Sequence, residues 1–91
     1  MSTEFIPPVV YHPGETLKEK LEELNMSIGE FAIRTSQPEK TIYAVINGQS
    51  PVTPDMAIAF EKVTGIPTHM WLRHQRRYDE YKAEKRQKER H

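Results

Sequence analysis

Residues 27–48 constrain this chain more than any other stretch. Two helix-sized apolar patterns lie on either side of a break at Thr35-Ser36-Gln37-Pro38. Ser27-Ile28-Gly29-Glu30 puts a hydroxyl at an N-cap and a carboxyl three residues on. That is a capping box, in which each side chain satisfies an unpaired backbone N–H of the other residue. Phe31 and Ala32 then face inward. Proline suits the first turn of a helix, because its missing N–H would be unpaired there. The second pattern is therefore expected to run from about Pro38 to Ile46, burying Ile42, Val45 and Ile46. Asn47-Gly48 ends it, with Gly48 free to take positive φ. Helices this short do not hold together in water alone, so they need packing partners.

The flanks supply them. After Pro13-Gly14, Leu17, Leu21 and Leu24 recur at i, i+4 and i+7, the apolar stripe of an amphipathic helix. Asn25 is its expected end. Thr53-Pro54-Asp55 combines a hydroxyl cap, proline at N1 and an acid in the first turn. Ala57, Phe60 and Val63 carry the core spacing, and Gly65 stops that helix. Pro67-Thr68 opens a last helix with Met70, Trp71, Leu72, Tyr78 and Tyr81 as its apolar material. The expected fold is all-α, with five helices and no sheet. An N-terminal arm occupies residues 1–12, the helical domain 13–82 and a charged tail 83–91. After Tyr81 the sequence is KAEKRQKERH, without a large apolar residue. It has no face to bury, so it is either an exposed helical extension or frayed.

Composition narrows the function. The chain has 91 residues, room for one domain and one modest core. It contains no cysteine, which fits a reducing compartment. No apolar run approaches the roughly 18 residues of a membrane span. Residues 1–10 lack the basic start of a signal peptide. A cytoplasmic protein with no membrane partner is expected. His12, His69, His74 and His91 show no metal-ligand spacing, and residues five apart do not share a helix face. H-E-x-x-H, P-loop and G-x-S-x-G motifs are absent, and Glu22-Glu23 reads as surface charge. No catalysis, metal or cofactor is expected. His12 is expected to cap or pack the first helix.

The formal net charge is zero, but its distribution is uneven. Residues 15–30 hold five acids and two lysines, a net of −3; residues 69–91 hold eight bases and four acids, a net of +4. These are either ordinary solvated helix faces or ends that meet different partners.

Two short helices joined by a tight turn and braced on both sides have the architecture of a helix-turn-helix. In that arrangement the first helix crosses the phosphate backbone and the second lies in the major groove. Glu39, Lys40, Tyr43 and Ala44 face away from the buried side of the second helix and are the base-facing candidates. Lysine can bond guanine O6/N7, and glutamate can accept from cytosine N4. An ordinary helical hairpin within a bundle fits the same pattern.

Particular motifs go further. Met26-Ser27-Ile28-Gly29-Glu30-Phe31-Ala32 and Thr41-Ile42-Tyr43-Ala44-Val45-Ile46-Asn47-Gly48 resemble the phage-repressor (Xre/Cro) helix-turn-helix. His12-Pro13-Gly14-Glu15, Thr53-Pro54-Asp55-Met56-Ala57 and Trp71-Leu72-x-x-Gln75-x-x-Tyr78-Asp79 resemble the HigA family of antitoxins, without a gap over residues 12–82. The resemblance implies a five-helix, lambda-repressor-like domain with an extended C-terminal helix. It also implies a homodimer that binds the operator of its own operon and neutralises a small RelE-like mRNA-cleaving toxin, HigB. Carried over, the base-facing positions are Glu39, Lys40, Tyr43 and Ala44, and the phosphate-facing ones Ile28, Thr41 and Asn47. The dimer is expected through the last two helices, with Trp71, Leu72 and Tyr78 at the seam.

Four residues depart from the family pattern. Ile28 stands where a phosphate-binding glutamine is usual. Ser36 stands where turn glycine is common, Pro38 replaces a Ser/Thr cap, and Glu39 brings negative charge towards DNA. These departures keep three readings in view: an autorepressing antitoxin, a solitary Xre-type regulator, and a toxin-masking module with weakened DNA binding.

Overall fold

The computed structural model describes residues 9–89. Five helices follow in order: α1 (Pro13–Glu23), α2 (Ile28–Thr35), α3 (Glu39–Ile46), α4 (Pro54–Thr64) and α5 (Thr68–Glu89). The described residues contain no strand, so the chain is all-α as its patterning requires. Most of the proposed arm, residues 1–8, and the last two residues of the tail lie outside the described region. Residues 83–89 continue α5 as an exposed helical extension.

The starts and stops follow local chemistry. Thr53 Oγ1 accepts the Met56 N–H at 3.3 Å, with Pro54 at N1 of α4. The start of α5 is held differently. Proline precedes it and has no capping side chain, so Glu61 reaches across from α4 and accepts both the N–H and the hydroxyl of Thr68, at 2.9 and 2.6 Å. Those hydrogen bonds hold the Glu61 carboxyl below its ordinary pKa.

Three helices end alike. In α1, α2 and α3 a left-handed residue follows the last turn: Asn25 at φ 54°, Ser36 at φ 56° and Gly48 at φ 75°. The next N–H folds back five residues, from Met26 to Leu21, Gln37 to Ala32 and Gln49 to Ala44. This Schellman pattern satisfies otherwise orphaned carbonyls. It turns the chain sharply enough for α2 and α3 to be joined by three residues.

The core takes Leu17 and Leu21 from α1, Phe31 and Ala32 from α2, and Ile42 and Val45 from α3. Val52, Met56, Ala57 and Phe60 enter from the next loop and α4, and Trp71 from α5. Three aromatics form its spine. Phe31 and Phe60 lie with centroids 5.0 Å apart, and Phe60 and Trp71 meet edge to face at 5.4 Å. Each fully buried large side chain contributes roughly 1.5–3 kcal/mol. Together they hold α2 and α3 at a fixed angle.

The N-terminus of α1 is pressed against the end of α3. A Cβ on Gly14 would run into the carbonyl of Val45, so only glycine permits this approach. His12 completes the joint. Its Nδ1 accepts the Gly14 N–H at 2.8 Å, and its ring meets Tyr78 of α5 edge to face, centroids 5.0 Å apart. His12 thus both caps and packs the first helix.

Candidate nucleic-acid interface

The α2–turn–α3 unit presents one continuous surface. Ser27 Oγ accepts the Glu30 N–H at 3.1 Å at the start of α2. The return half of the expected capping box is missing. Glu30 instead pairs with Arg34 one turn on, at 2.7 Å, which is the stronger, charge-assisted partner. With the cap engaged at Glu30, the N–H groups of Ile28 and Gly29, the first two of the helix, point outward to an external acceptor. The Ile28 side chain is half-buried and packs on the core. Any phosphate contact at this position therefore falls to backbone N–H groups and the positive end of the helix dipole.

Ser36 occupies the turn in a left-handed conformation, φ 56° and ψ 36°. Serine pays there for a backbone that glycine adopts freely, about 1–2 kcal/mol by comparison of the two conformations. Pro38 adopts an extended ψ of 140° and is the N-cap residue of α3, so the helix begins at Glu39, one residue later than its sequence suggests. Proline supplies no side-chain cap, so the Glu39 and Lys40 N–H groups also lie open at this helix start.

On α3 the two faces separate cleanly. Ile42 and Val45 are fully buried. Lys40, Tyr43, Ala44 and Asn47 recur at i, i+3, i+4 and i+7 on the opposite side. Lys40 and Asn47 are exposed, Tyr43 is 47% exposed, and Ala44 is half-buried. Thr41 is half-buried at the flank of this stripe. Glu39 behaves differently from its neighbours. Its carboxylate turns back across the turn towards the start of α2, where a Cβ on Gly29 would stand 3.5 Å from Oε2. The positive end of α2 favours an anion in that place. The acid is exposed and lies beside the start of the protein's own α2.

The residues expected at a dimer seam do not form a patch. Trp71 is 1% exposed and belongs to the core; its indole is used against Phe60, so it offers no surface to a second copy. Leu72 is half-buried against the core, and Tyr78 is engaged with His12. The apolar side chains that α4 and α5 leave exposed are Ile58 and Met70.

Sequence patterning missed one organising residue. Gln75 is buried, accepts the Val52 N–H at 2.8 Å, and donates to Asp79 at 2.9 Å. It ties the loop after α3 to α5. A polar residue one turn along a helix from a buried tryptophan, within the motif Trp71-Leu72-x-x-Gln75, was the available signal. Among the described residues no group of histidines and acids is arranged to hold a metal ion. No described helix is long and apolar enough to cross a membrane.

A three-residue turn between two short helices, with a buried brace and an exposed polar stripe on the second, defines a helix-turn-helix DNA-binding protein. Residues 17–71 match the helix-turn-helix family HTH_3, and the chain belongs to that family. It is 37% identical over 73 residues to the uncharacterised HTH-type transcriptional regulator YddM of Escherichia coli, covering 80% of this chain and 78% of that one. An addiction-module antidote protein of the HigA family from Coxiella burnetii superposes with a TM-score of 0.83 at 33% identity, over 89% of both chains. A Pseudomonas aeruginosa protein solved in complex with its operator DNA superposes with a TM-score of 0.78 at 25% identity, over 82% of this chain and 84% of that one. The chain is thus a helix-turn-helix regulator that resembles HigA antitoxins.

Proposed function

We propose that the protein is a HigA-type antitoxin that represses its own operon and neutralises a HigB-like, mRNA-cleaving toxin. The observation that carries the DNA half is the solvent-facing stripe of exposed Lys40, Tyr43 and Asn47 with half-buried Ala44, on a helix whose other side is locked into the core. Such a helix enters the major groove as a rigid body. Lys40 donates to guanine O6/N7, and Tyr43 and Ala44 make the apolar contacts that favour thymine methyls. Thr41 at the flank of the stripe and Asn47 at its end meet phosphates, as do the open N–H groups of Ile28 and Gly29. Glu39, the remaining base-facing candidate, modulates the site from its folded-back position. The protein acts as a homodimer through α4 and α5, placing two α3 helices about 34 Å apart on an inverted repeat. Leu72, with the exposed Ile58 and Met70, supplies the apolar contact, and Trp71 and Tyr78 support it from within.

The toxin half rests on likeness to HigA antidotes and on charge. Glu19, Glu22 and Glu23 make α1 an acidic, exposed helix, complementary to a basic RNA-cleaving toxin. Two experiments test the two halves. A gel-shift titration on the DNA upstream of the gene is expected to show binding at submicromolar dimer. No shift at micromolar dimer and low salt excludes the repressor role. Co-expression with the neighbouring gene product is expected to yield a co-purifying complex. Recovery of DNA binding without that complex leaves a solitary regulator.

A further inference from the structure

We propose that the C-terminal half of α5 is a second DNA-contacting element, in which Lys82 and Lys85 bind the phosphate backbone beside the end of α3. This rests on the reading of α3 as the groove helix.

The face of α5 that packs on the protein changes chemistry along its length. Trp71, Gln75, Tyr78, Lys82 and Lys85 follow one another at spacings of three or four residues and so share a side of the helix. The first two are buried and Tyr78 is half-buried, while the two lysines are exposed. The switch falls where α5 passes the N-terminus of α1 and leaves the bundle. His12 marks the place, because it joins α5 to α3. One side of its ring meets Tyr78, and a Cβ on Gly48 would stand 3.7 Å from the same ring.

A cleft of about 290 Å³ opens there. Asn47 and Gly48 line it from the end of α3, and Tyr81, Lys82 and Lys85 line it from α5. Glu15 is the acid that also lines it. Glu80 and Glu84 lie more than about 90° round α5 from Tyr78, at 100° per residue. Glu89 returns to the lysine side one turn beyond Lys85. The two lysines therefore share a cleft with Asn47, the last residue of the α3 stripe, and outnumber its one acid. Lys82 and Lys85 are exposed beside the half-buried Tyr78 and Tyr81, so their ammonium groups are free to meet a partner at this cleft.

Duplex DNA is the partner this arrangement fits. The end of a groove helix lies beside phosphates when its start is in the groove, and lysine on a flexible stem meets phosphate as a point charge without reading sequence. A toxin's acidic surface is the competing partner, and the test separates the two.

The full-length protein and its Lys82→Gln/Lys85→Gln variant would be titrated with the duplex upstream of the gene and with an unrelated duplex, from 50 to 200 mM salt. Lys40→Ala serves as the groove-helix control. The double variant is expected to bind both duplexes more weakly by the same factor, with the salt slope reduced by about 1 per lysine lost. Helicity by circular dichroism and mass by light scattering should be unchanged. An unchanged slope and affinity in the double variant, while Lys40→Ala alters operator preference, overturns the role of α5 and leaves the groove helix standing. Failure of the wild-type protein to bind either duplex overturns both. Loss of toxin co-purification with DNA binding intact overturns the proposal in favour of a toxin contact.

Discussion

Gln75 Oε1 accepts the backbone N–H of Val52 at 2.8 Å, joining the loop after α3 to the middle of α5. Both residues are buried, so the bond has no water to replace it. Gln75→Leu should cost about 1–3 kcal/mol, the penalty for leaving a buried N–H unpaired. Urea denaturation reads this directly. A change under about 0.5 kcal/mol would show that the loop finds another acceptor.

Stability should fall in mild acid through His12. Burial lowers its pKa from the ordinary 6.5; a hydrogen bond with the Ser50 backbone offsets this only in part. The cap needs an unprotonated Nδ1, because that atom accepts from Gly14. The unfolded chain therefore takes up a proton before the folded chain does. This contribution is complete above about pH 6.5 and is lost as pH falls from there through the lowered folded value. His12→Asn keeps a cap acceptor without titrating in this range. Urea midpoints at pH 7.5 and 5.5 should converge in that variant, and a difference as large as wild type would assign the acid sensitivity elsewhere.

Ser36→Gly should stabilise the protein by about 0.5–1 kcal/mol. The left-handed strain at φ 56° disappears, partly offset by the greater freedom of glycine in the unfolded chain. A lower melting temperature would show that the serine side chain makes a compensating interaction.

Much of this was legible in the sequence. The caps at Ser27 and Thr53, the stops at Asn25, Gly48 and Gly65, and the alternation of buried and exposed positions on α3 all depend on contacts within a few residues. What was not legible depends on distant ones. Glu30 has two candidate partners in sequence, Ser27 and Arg34, and only the folded helix shows that the arginine takes it. Trp71 could serve a core or a seam equally well by pattern; the depth of the site beside Phe60 decides. Gln75 stood in the Trp71-Leu72-x-x-Gln75 motif without a role, because its partner Val52 comes from another element. Helix phase and the family resemblance both gave the position of Glu39, but not that its carboxylate lies towards Gly29 across the turn.

That turn of Glu39 carries its own prediction. The carboxylate lies near Gly29 at the start of α2, so its charge opposes a phosphate approaching that positive helix end. Glu39→Gln should strengthen binding to operator and unrelated duplex alike, by roughly threefold to tenfold at low salt, and fluorescence anisotropy measures both. Weaker operator binding with unrelated DNA unaffected would mean that Glu39 reads a base.

Binding of Lys40→Ala to the upstream duplex and to its single-base variants tests the central claim, that α3 reads base edges, most directly. The account predicts a loss of about 1–3 kcal/mol on the native duplex and a relaxed preference at one base pair in each half-site. An equal loss on every duplex, with a smaller salt slope and no relaxed position, would contradict it and make Lys40 a phosphate contact.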